Sequence, residues 1–327
     1  MTTDQSISLP HVGLVPDAAT TIAPVASRWS YQQAFSRNLG LISSDEQQRL
    51  SAARIAIAGL GGVGGVHLAT LARLGVGRFT IADPDHFDTA NFNRQYGAKT
   101  RTLGRSKADV MAEEVRAINP EVRLTVMCDA VTPDNLGEFF EGADLFVDGV
   151  DFFSIAARRM LFAEARRRGI WALTAGPVGF STAWLSFDPQ GMSFDKYFDL
   201  HDQQTAAEQL LSFAVGLAPR ATHLRYLDLA SLDAAKRQAP SAGLACQLAS
   251  GVAAAEALKI LLGRGPLRPA PCYFQFDAYR QTLRKGRLWR GNRHPLQRLK
   301  RYVLRRRLAD QIAAFENPTG ASRKGNR

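Results

Sequence analysis

The sequence predicts an α/β protein with a doubly wound, Rossmann-like sheet and with mixed strands and helices appended to it. Short apolar runs alternate with helical patterns between residues 54 and 188, which is typical of β-α-β units around a parallel sheet. A glycine-rich segment, GLGGVGG at residues 59–65, lies between the first apolar run and the first helical pattern. The 327 residues are 46% hydrophobic, which is enough for a sizeable core.

The predicted elements follow one another without an internal repeat. A polar arm over residues 1–50 ends in a helix that Ser43-Ser44-Asp45-Glu46 would cap. The alternating part reads IAIAGL and VHLATLARLG, RFTIADPD and KADVMAEEVRAIN, VRLTVMCDA and DNLGEFFEG, DLFVDGV and IAARRMLFAEARRRG, and last IWALTAG. The chain continues with a strand at 183–187, amphipathic helices within 193–229, an Ala-rich helix at 241–262 and a strand at 271–276.

Composition narrows the class of protein. The first residues, MTTDQSISLPHVG, lack the basic and apolar stretches of a signal peptide, and the apolar runs are interrupted before they reach the length of a membrane span. Cys128, Cys246 and Cys272 form no C-x-x-C pair, so neither a disulfide framework nor a zinc site of thiolate pairs is expected. We expect a cytoplasmic protein without zinc and without a membrane span.

The positive charge is concentrated near the C-terminus. Residues 280–327 contain 15 Lys and Arg but two acidic residues, so this segment carries more than the whole net charge of +11. Aromatic residues such as Trp289 and Tyr302 are interspersed among the cations, a composition suited to RNA or another polyanion. A solvated extension without a ligand is the alternative.

The glycine-rich segment predicts a nucleotide site. Gly59, Gly61 and Gly64 match G-x-G-x-x-G, where small residues let backbone amides reach a phosphate at a helix N-terminus. The next strand ends in Asp83, at a distance along the chain that suits ribose binding. These features alone favour an NAD-dependent oxidoreductase, and they leave open a nucleotide-binding scaffold without turnover or a tight turn without a ligand.

Two cations beyond the ribose acid change this interpretation. Arg94 lies in DPDHFDTANFNRQ and Lys107 in GRSK, shortly after Asp83. A hydride-transfer enzyme leaves the pyrophosphate of its cofactor intact and has no use for them. An enzyme that breaks the bond between the α- and β-phosphates needs fixed cations to offset the charge that builds on the oxygens. The sequence therefore favours ATP over a dinucleotide.

The combined motifs resemble the ThiF, MoeB and HesA group, relatives of the ubiquitin-activating enzymes. The resemblance rests on the order G-x-G-x-x-G, D-x-D-x-x-x-x-x-N-x-x-R-Q and G-x-x-K, runs from about Arg37 to Asp188, and resumes at 241–263 with G-x-x-x-x-E-A-L-K-I-L-L. It implies a homodimer that uses ATP and Mg²⁺ to adenylate a carboxylate, commonly the C-terminus of a peptide or ubiquitin-like protein, with release of pyrophosphate. Together with the composition, it divides the chain into four expected segments: an N-terminal arm (1–50), a nucleotide-binding domain (51–188), an acceptor-side and dimerisation part of the same fold (189–279), and a basic tail (280–327).

The resemblance also implies roles for individual residues. Asp83 would hold the ribose, Asp151 of the D-x-x-D motif would bind Mg²⁺ or orient the triphosphate, and Arg37 would enter the site of the partner subunit. A cap for the helix that begins near Ser154 is the alternative role of Asp151. The expected cofactor-binding residues are Gly59, Gly61, Gly62, Gly64, Asp83, Asp85, Asn91, Arg94, Lys107 and Asp151, and the expected catalytic residues are Arg94, Lys107 and Arg37.

The cysteines argue against a thioester relay. No cysteine lies between residues 170 and 245, where thiol-transferring members of the group carry their nucleophile. Cys128 and Cys272 are expected in the core, and Cys246 falls in an Ala-rich helix where a thiolate would lack a cation.

One subgroup offers an alternative function. The stretch GRSKADVMAEEVRAINPEVRLTVMCDAVTPDNL resembles the TcdA subgroup, the tRNA threonylcarbamoyladenosine dehydratases, in which the activated carboxylate is attacked internally. This likeness ends at about Asp188. A TcdA-like dehydratase, or an NAD- or FAD-type binding protein without adenylation, therefore stands beside the main interpretation.

Overall fold

A computed structural model describes residues 29–316 apart from residues 232 and 234. Its sheet has eight strands in the order β3-β2-β1-β4-β5-β6-β7-β8. The strands are β1 Arg54–Ala58, β2 Arg78–Ala82, β3 Arg123–Met127, β4 Leu145–Asp148, β5 Trp171–Val178, β6 Ser181–Phe187, β7 Cys272–Asp277 and β8 Thr282–Arg287. The first five strands pair in parallel and the last three antiparallel, which confirms the predicted fold class.

Helices cover both faces of the sheet. They are α1 Tyr31–Ala34, α2 Ser44–Ala52, α3 Gly64–Arg73, α4 Lys107–Ile118, α5 Leu136–Phe139, α6 Ile155–Arg167, α7 Phe194–Phe198, α8 Ala206–Leu217, α9 Gly243–Leu262, α10 Pro295–Arg307 and α11 Ala309–Glu316. Strand β1 shows how the sequence divides the core: Ile55 and Ile57 join the cluster formed with α3, α4 and α9, while Ala56 and Ala58 join the cluster on the opposite face. This two-sided covering is what the nearly continuous apolar strands predict.

The strand order reverses between β1 and β4. Strand β1 pairs with β2 on one side and with β4 on the other, so the connections leave in opposite directions from this point. In open α/β sheets ligands bind at the carboxyl ends of the strands beside such a switch point. The glycine-rich segment follows β1 at this edge of the sheet.

Helix α9 is long and apolar enough to resemble a membrane span, but it packs inside the fold. By length and composition alone it could cross a membrane, with a mean hydropathy of 1.4. It packs against β5, β6 and α3, and its buried residues include the small Ala249 and Ala253. A buried core helix has the same length and composition, so these two properties are weak evidence for a span.

The basic segment begins inside the fold. Strand β8 pairs antiparallel with β7, so the predicted boundary at residue 280 falls in the connection between two paired strands. Helix α10 packs on α8, where the Nδ2 atom of the buried Asn292 donates to the backbone oxygens of Phe198 and Ser212 and Arg301 pairs with Asp199. The alternative of a solvated extension does not hold for residues 282–316, and residues 317–327 lie outside the described part.

Candidate functional site

One cavity of about 880 Å³ opens at the carboxyl ends of the central strands. It brings together most of the residues that the sequence predicts for the nucleotide site. They are Gly59, Gly61, Gly62, Asp83, Asp85, Asn91, Arg94, Lys107 and Asp151.

The glycine-rich loop requires glycine where two backbones approach each other. Gly59 has φ +82, and a Cβ on it would lie 2.2 Å from the backbone oxygen of Gly149. A Cβ on Gly64 would lie 1.8 Å from the backbone oxygen of Gly59. Gly149, in the segment between β4 and α6, is therefore part of the loop's support, although the sequence motif does not include it.

The loop presents backbone donors to the cavity. Helix α3 begins at Gly64 without a side-chain cap, and no hydrogen bond joins the N–H groups of Gly61, Gly62 or Gly64 to other residues of the described part. Unpaired N–H groups at a helix N-terminus bind phosphate through hydrogen bonds and through the helix dipole. The geometry fits the phosphate cradle that the motif predicts.

Asp83 holds this loop in place. Its Oδ2 accepts from the backbone N–H of Leu60 at 2.6 Å and its Oδ1 from that of Asp85 at 2.8 Å. Burial raises the pKa of the Asp83 carboxyl, partly offset by these bonds and by Lys107. This bond to the loop was not predicted from the motif, and the role of Asp83 toward the ribose stays a prediction.

The two motif cations are held in different ways. Lys107 is 6% exposed, and its Nζ lies 3.0 Å from Oδ2 of the exposed Asp85. The half-buried Arg94 donates through Nη1 to the Ala90 oxygen and to Oδ1 of Asn93, both at 2.9 Å. Each side chain is thus oriented by its own segment before any ligand binds.

The turn that carries Arg94 is joined to the start of α9. Nδ2 of Asn93 donates to the Ser241 oxygen at 2.8 Å, and a Cβ on Gly243 would lie 2.8 Å from the Asn93 oxygen. Asn91 uses its Oδ1 within the turn to accept from the backbone N–H of Asp88. The late helix of the motif therefore fixes the position of the phosphate-facing turn.

Cys246 lies directly against the glycine-rich loop. A Cβ on Gly62 would lie 3.3 Å from its Sγ and 3.5 Å from the aliphatic Cδ of Arg94. The charge of Arg94 acts on this thiol, so the expectation that Cys246 lacks a nearby cation is wrong. Burial nevertheless raises the pKa of the thiol, against smaller effects of Ser241 and Arg94. A buried thiol with a raised pKa is a poor nucleophile. Cys128, expected in the core, is exposed.

Asp151 keeps one oxygen available. Its Oδ2 accepts from the backbone N–H of Phe153 at 3.0 Å, while Oδ1 has no hydrogen bond to the described residues. Ser154, not Asp151, is the N-cap residue of α6, so the capping alternative is not what the structure shows. Mg²⁺ often binds one carboxylate together with phosphates and water, and Asp151 fits that arrangement. In the described residues no group of three His, Cys, Asp or Glu could hold a metal by itself.

A buried ion pair beneath Asp151 was not predicted. Oδ2 of Asp148 accepts from Nε of Arg158 at 2.7 Å and from Oγ1 of Thr174 at 2.8 Å. The Arg158 guanidinium also lies 4.5 Å from the ring centre of Phe213 on α8. The first aspartate of the D-x-x-D motif therefore connects β4, β5 and α6. The motif spacing points to Asp148 itself but not to Arg158 or Thr174.

The other half of the cavity is apolar. We call this part the apolar compartment; α8, the segment 223–229 and the C-terminal helices provide most of its walls. Its apolar lining residues are Leu210, Leu211, Leu217, Leu224, Leu227, Leu229, Leu304, Leu308, Ile312 and Phe315. Leu304 and Leu308 belong to the basic C-terminal segment, so that segment contributes to the cavity as well as to the surface.

Arg37 does not join the site of its own chain. It lies in a short 3-10 turn, is exposed, and is not among the residues that line the cavity. Its predicted role in a partner subunit stays a prediction.

Comparisons with known proteins agree with this geometry. The tRNA threonylcarbamoyladenosine dehydratase of Escherichia coli strain K12 is 38% identical over 151 residues, 46% of this chain and 56% of the relative. The probable adenylyltransferase/sulfurtransferase MoeZ of Mycobacterium tuberculosis is 32% identical over 187 residues, 56% of this chain and 47% of the relative. The crystal structure of E. coli TcdA with ATP is 26% identical, with a TM-score of 0.53 over 71% of this chain and 95% of that one.

The chain spans about half the length of the curated relatives named here. The sequence pattern of the ThiF family matches residues 35–297, which is most of the chain and includes the whole nucleotide half of the cavity. The protein therefore belongs to the ThiF family.

Proposed function

We propose that the protein uses ATP to adenylate a carboxylate and releases pyrophosphate. One observation carries the proposal: Arg94, Lys107 and Asp151 line the same cavity as the glycine-rich loop. A dinucleotide site needs the loop but not this combination. Support also comes from MoeZ, which is named an adenylyltransferase, and from TcdA, whose structure holds ATP.

The reaction follows from the positions of these groups. The loop amides hold the phosphates while an oxygen of the acceptor carboxylate attacks the α-phosphorus. The bond between the α-phosphorus and the bridging oxygen breaks, and pyrophosphate leaves. Arg94 and Lys107 offset the negative charge that builds on the oxygens in the transition state. Mg²⁺ at Asp151 would neutralise the departing pyrophosphate.

The acceptor divides the proposal into two candidates. The 38% identical relative favours the TcdA-like alternative, in which the carboxylate of threonylcarbamoyladenosine on tRNA is activated and then attacked internally. A ubiquitin-like protein or peptide has weaker support, from relatives such as the sulfur carrier protein ThiS adenylyltransferase of E. coli, 31% identical over 45% of this chain. Both candidates proceed without a thioester relay, in a cytoplasmic homodimer.

Cofactor choice is the first test. Calorimetry with ATP and Mg²⁺ and then with NAD should give tighter binding of ATP, because Lys107 and Mg²⁺ at Asp151 would offset the charge of the triphosphate. Lys107→Ala should weaken ATP binding more than NAD binding. Tighter binding of NAD by the unaltered protein would overturn the proposal.

The tRNA acceptor has its own test. Transfer RNA that carries threonylcarbamoyladenosine is incubated with the protein, ATP and Mg²⁺, and its nucleosides are analysed by mass spectrometry. A TcdA-like activity gives a nucleoside that has lost one water, together with AMP. If threonylcarbamoyladenosine is recovered unchanged from a preparation that forms AMP with another carboxylate, the tRNA acceptor is disproved and the proposed adenylation stands.

A further inference from the structure

The apolar compartment opens into the nucleotide half of the same cavity. Leu211 and Leu217 of α8 form one wall, and Ile312 and Phe315 of α11 form another. Phe153, two residues after the predicted metal ligand Asp151, has its ring centre 6.1 Å from that of Phe315. A ligand whose carboxylate reaches the nucleotide half of the cavity can therefore place its remaining atoms beside these side chains.

Little in the compartment is charged. Two cations of the described residues lie at its walls: the Arg237 guanidinium is 5.5 Å from the ring centre of Phe315, and the Arg158 guanidinium, which contacts Phe213, is neutralised by the buried Asp148. His223 adds a polar group that stays neutral near pH 7, since burial lowers the pKa of its imidazole to about 4. A nucleic-acid backbone is bound by several cations, one for each phosphate neutralised. The lining does not suit that ligand.

The apolar side chains of the walls leave an open cavity between them. Ile312 and Phe315 are half-buried and line the cavity. Pockets lined by apolar side chains with few polar groups are the usual form of small-ligand sites. The compartment therefore has the composition of a binding site for an apolar group, next to a site built for phosphates.

We propose that the acceptor carboxylate is carried on an apolar body that occupies the apolar compartment. This inference rests on the proposed adenylation. The shared chemistry is an unbranched or branched hydrocarbon next to the carboxylate, either in a free acid or in the last apolar side chains of a peptide. In both cases a carboxylate oxygen bonds to the α-phosphorus of ATP and pyrophosphate leaves, so the product is an acyl-adenylate. The compartment residues lie beyond Asp188, outside the stretch that resembles TcdA.

Exchange of labelled pyrophosphate into ATP tests the substrate class. The acids are octanoate, acetate and succinate, and the peptides are Ala-Leu-Leu and Ala-Glu-Glu, with tRNA that carries threonylcarbamoyladenosine as a further arm. Octanoate or Ala-Leu-Leu should give a kcat/KM at least about tenfold above that of its hydrophilic counterpart, since each methylene placed in an apolar pocket contributes. The acid, peptide or tRNA that supports exchange identifies the kind of molecule that carries the acceptor carboxylate.

Two variants of the same helix locate the effect. Ile312→Gln places an amide in the compartment and should raise the KM for the apolar acceptor about tenfold. Ala313→Gln is the matched control, because Ala313 is exposed on α11 and does not line the cavity. Neither variant should change the Kd for ATP.

The outcomes separate the two proposals. Exchange with tRNA or with the hydrophilic acids alone, or equal effects of Ile312→Gln and Ala313→Gln, would overturn the apolar acceptor and leave adenylation intact. Octanoate binding that Ile312→Gln weakens in calorimetry, without exchange for any acceptor, would support the compartment's ligand class and remove adenylation. No binding of octanoate or Ala-Leu-Leu in calorimetry would overturn the apolar acceptor.

Discussion

Asp83 is a structural residue and a predicted ligand at the same position. Its two oxygens accept from Leu60 and Asp85, and these bonds tie the glycine-rich loop to the end of β2. A carboxylate oxygen can accept more than one hydrogen bond, so a ribose hydroxyl can still bind. Asp83 and Arg94 should therefore respond differently to substitution.

Asp83→Ala should weaken ATP binding and lower the free energy of unfolding, because the buried N–H of Leu60 and the part-buried N–H of Asp85 lose their acceptor. Arg94→Ala should leave the Kd for ATP nearly unchanged and lower kcat about 100- to 1,000-fold, the usual cost of removing a preorganised group from a transition state. Calorimetry, denaturant titration and pyrophosphate exchange at saturating substrates separate the effects. An Arg94→Ala protein that exchanges at the original rate would disprove the catalytic assignment.

The burial of His67 should make the free energy of unfolding depend on pH. It lies in the first turn of α3, is 1% exposed, and has no hydrogen bond from either ring nitrogen to the described residues. Burial lowers the pKa of its imidazole from 6.5 to about 4. As the pH falls, the His67 imidazole is protonated at a higher pH in the unfolded chain than in the folded protein. The contribution of the neutral imidazole to the free energy of unfolding is therefore fully present above about pH 6.5 and is lost as the pH falls toward 4.

The expected loss is about 2 kcal/mol between pH 7 and pH 5 for such a shift. Urea titrations at the two pH values measure it, and His67→Leu should have the smaller loss because it has no imidazole to protonate at this position. His223, also with a lowered pKa, is present in both proteins and cancels in the comparison. Equal pH dependence in both proteins would mean that His67 is not the group responsible.

Residue positions were predictable from sequence where a motif fixes both residue type and spacing. Asp83, Arg94 and Lys107 line the cavity as expected, because the glycine motif and the strand ends place them at one edge of the sheet. The pairing of Asp148 with Arg158 was not predictable, because the arginine comes from the next helix and no motif joins it to the aspartate. The cation beside Cys246 was missed for the same reason: Arg94 and Cys246 meet through tertiary packing alone.

At the scale of elements, the contact between the glycine-rich loop and the segment after β4 decides whether the cradle forms. A Cβ on Gly149 would meet the Gly59 oxygen at 2.2 Å and Cα of Gly64 at 2.8 Å. Backbone atoms cannot move aside as a flexible side chain can. Gly149→Ala should therefore displace the loop and abolish measurable ATP binding.

Gly251→Ala is the matched control for this substitution. Gly251 lies within α9, and a Cβ on it would meet nothing within 4 Å. Alanine is the better helix former, so Gly251→Ala should raise the free energy of unfolding by about 0.5–1 kcal/mol and leave ATP binding unchanged. Binding retained by Gly149→Ala would show that the loop does not depend on this contact.

Strand β8 gives the basic segment a specific surface. Arg284, Lys285 and Arg287 are exposed on the last strand of the sheet, and Arg287 lies 3.5 Å from the ring centre of the exposed Trp289. Charge on an edge strand also prevents edge-to-edge pairing between molecules, which is the explanation without a ligand. The other explanation is a binding site for a polyanion such as tRNA, and a binding measurement distinguishes the two.

Replacing these three cations with Ser should reduce the slope of log affinity for tRNA against log salt concentration by about 0.7 to 0.9 for each phosphate that is no longer neutralised. Fluorescence anisotropy over a range of salt concentrations measures the slope. A deletion from residue 286 onward is unsuitable, because it would remove α10 and its packing on α8. An unchanged slope, with increased self-association of the variant, would favour edge protection.

The elements themselves followed from sequence more readily than their boundaries. The apolar runs of β1 to β5 are short, continuous and separated by helical periods, so their number and parallel pairing were predictable. Residues 280–316 were harder because their composition is dominated by charge, whereas Asn292 and Arg301 join the fold through polar bonds that no hydrophobic pattern reveals. Local composition therefore describes the surface of this segment better than its packing.

At the scale of the whole molecule, Arg37 raises the question of which subunit completes the site. It is exposed outside the cavity of its own chain, beside the exposed Leu39 and Leu41. An arginine and two apolar side chains exposed on one segment suit an interface, and the resemblance to the ThiF group implies a homodimer in which Arg37 of the partner subunit enters the site. Subunit mixing tests this arrangement directly.

Arg37→Ala and Arg94→Ala should each be nearly inactive as pure proteins, since each removes a cation from every site. When they are mixed, unfolded together and refolded in equal amounts, half of the dimers contain one subunit of each kind. In such a dimer the subunit that retains Arg94 receives an intact Arg37 from its partner. One of the two sites of the dimer is therefore complete. Random pairing therefore predicts recovery of about a quarter of the original activity, the statistical result for an isologous dimer with sites shared between subunits. Pyrophosphate exchange measures the recovery, and a mixture of Arg94→Ala with Lys107→Ala is the control that should recover none, because both substitutions affect residues of the same chain's cavity and leave every site one cation short. No recovery by the first pair, in refolded dimers confirmed by size, would place Arg37 in its own subunit's site or outside the reaction altogether.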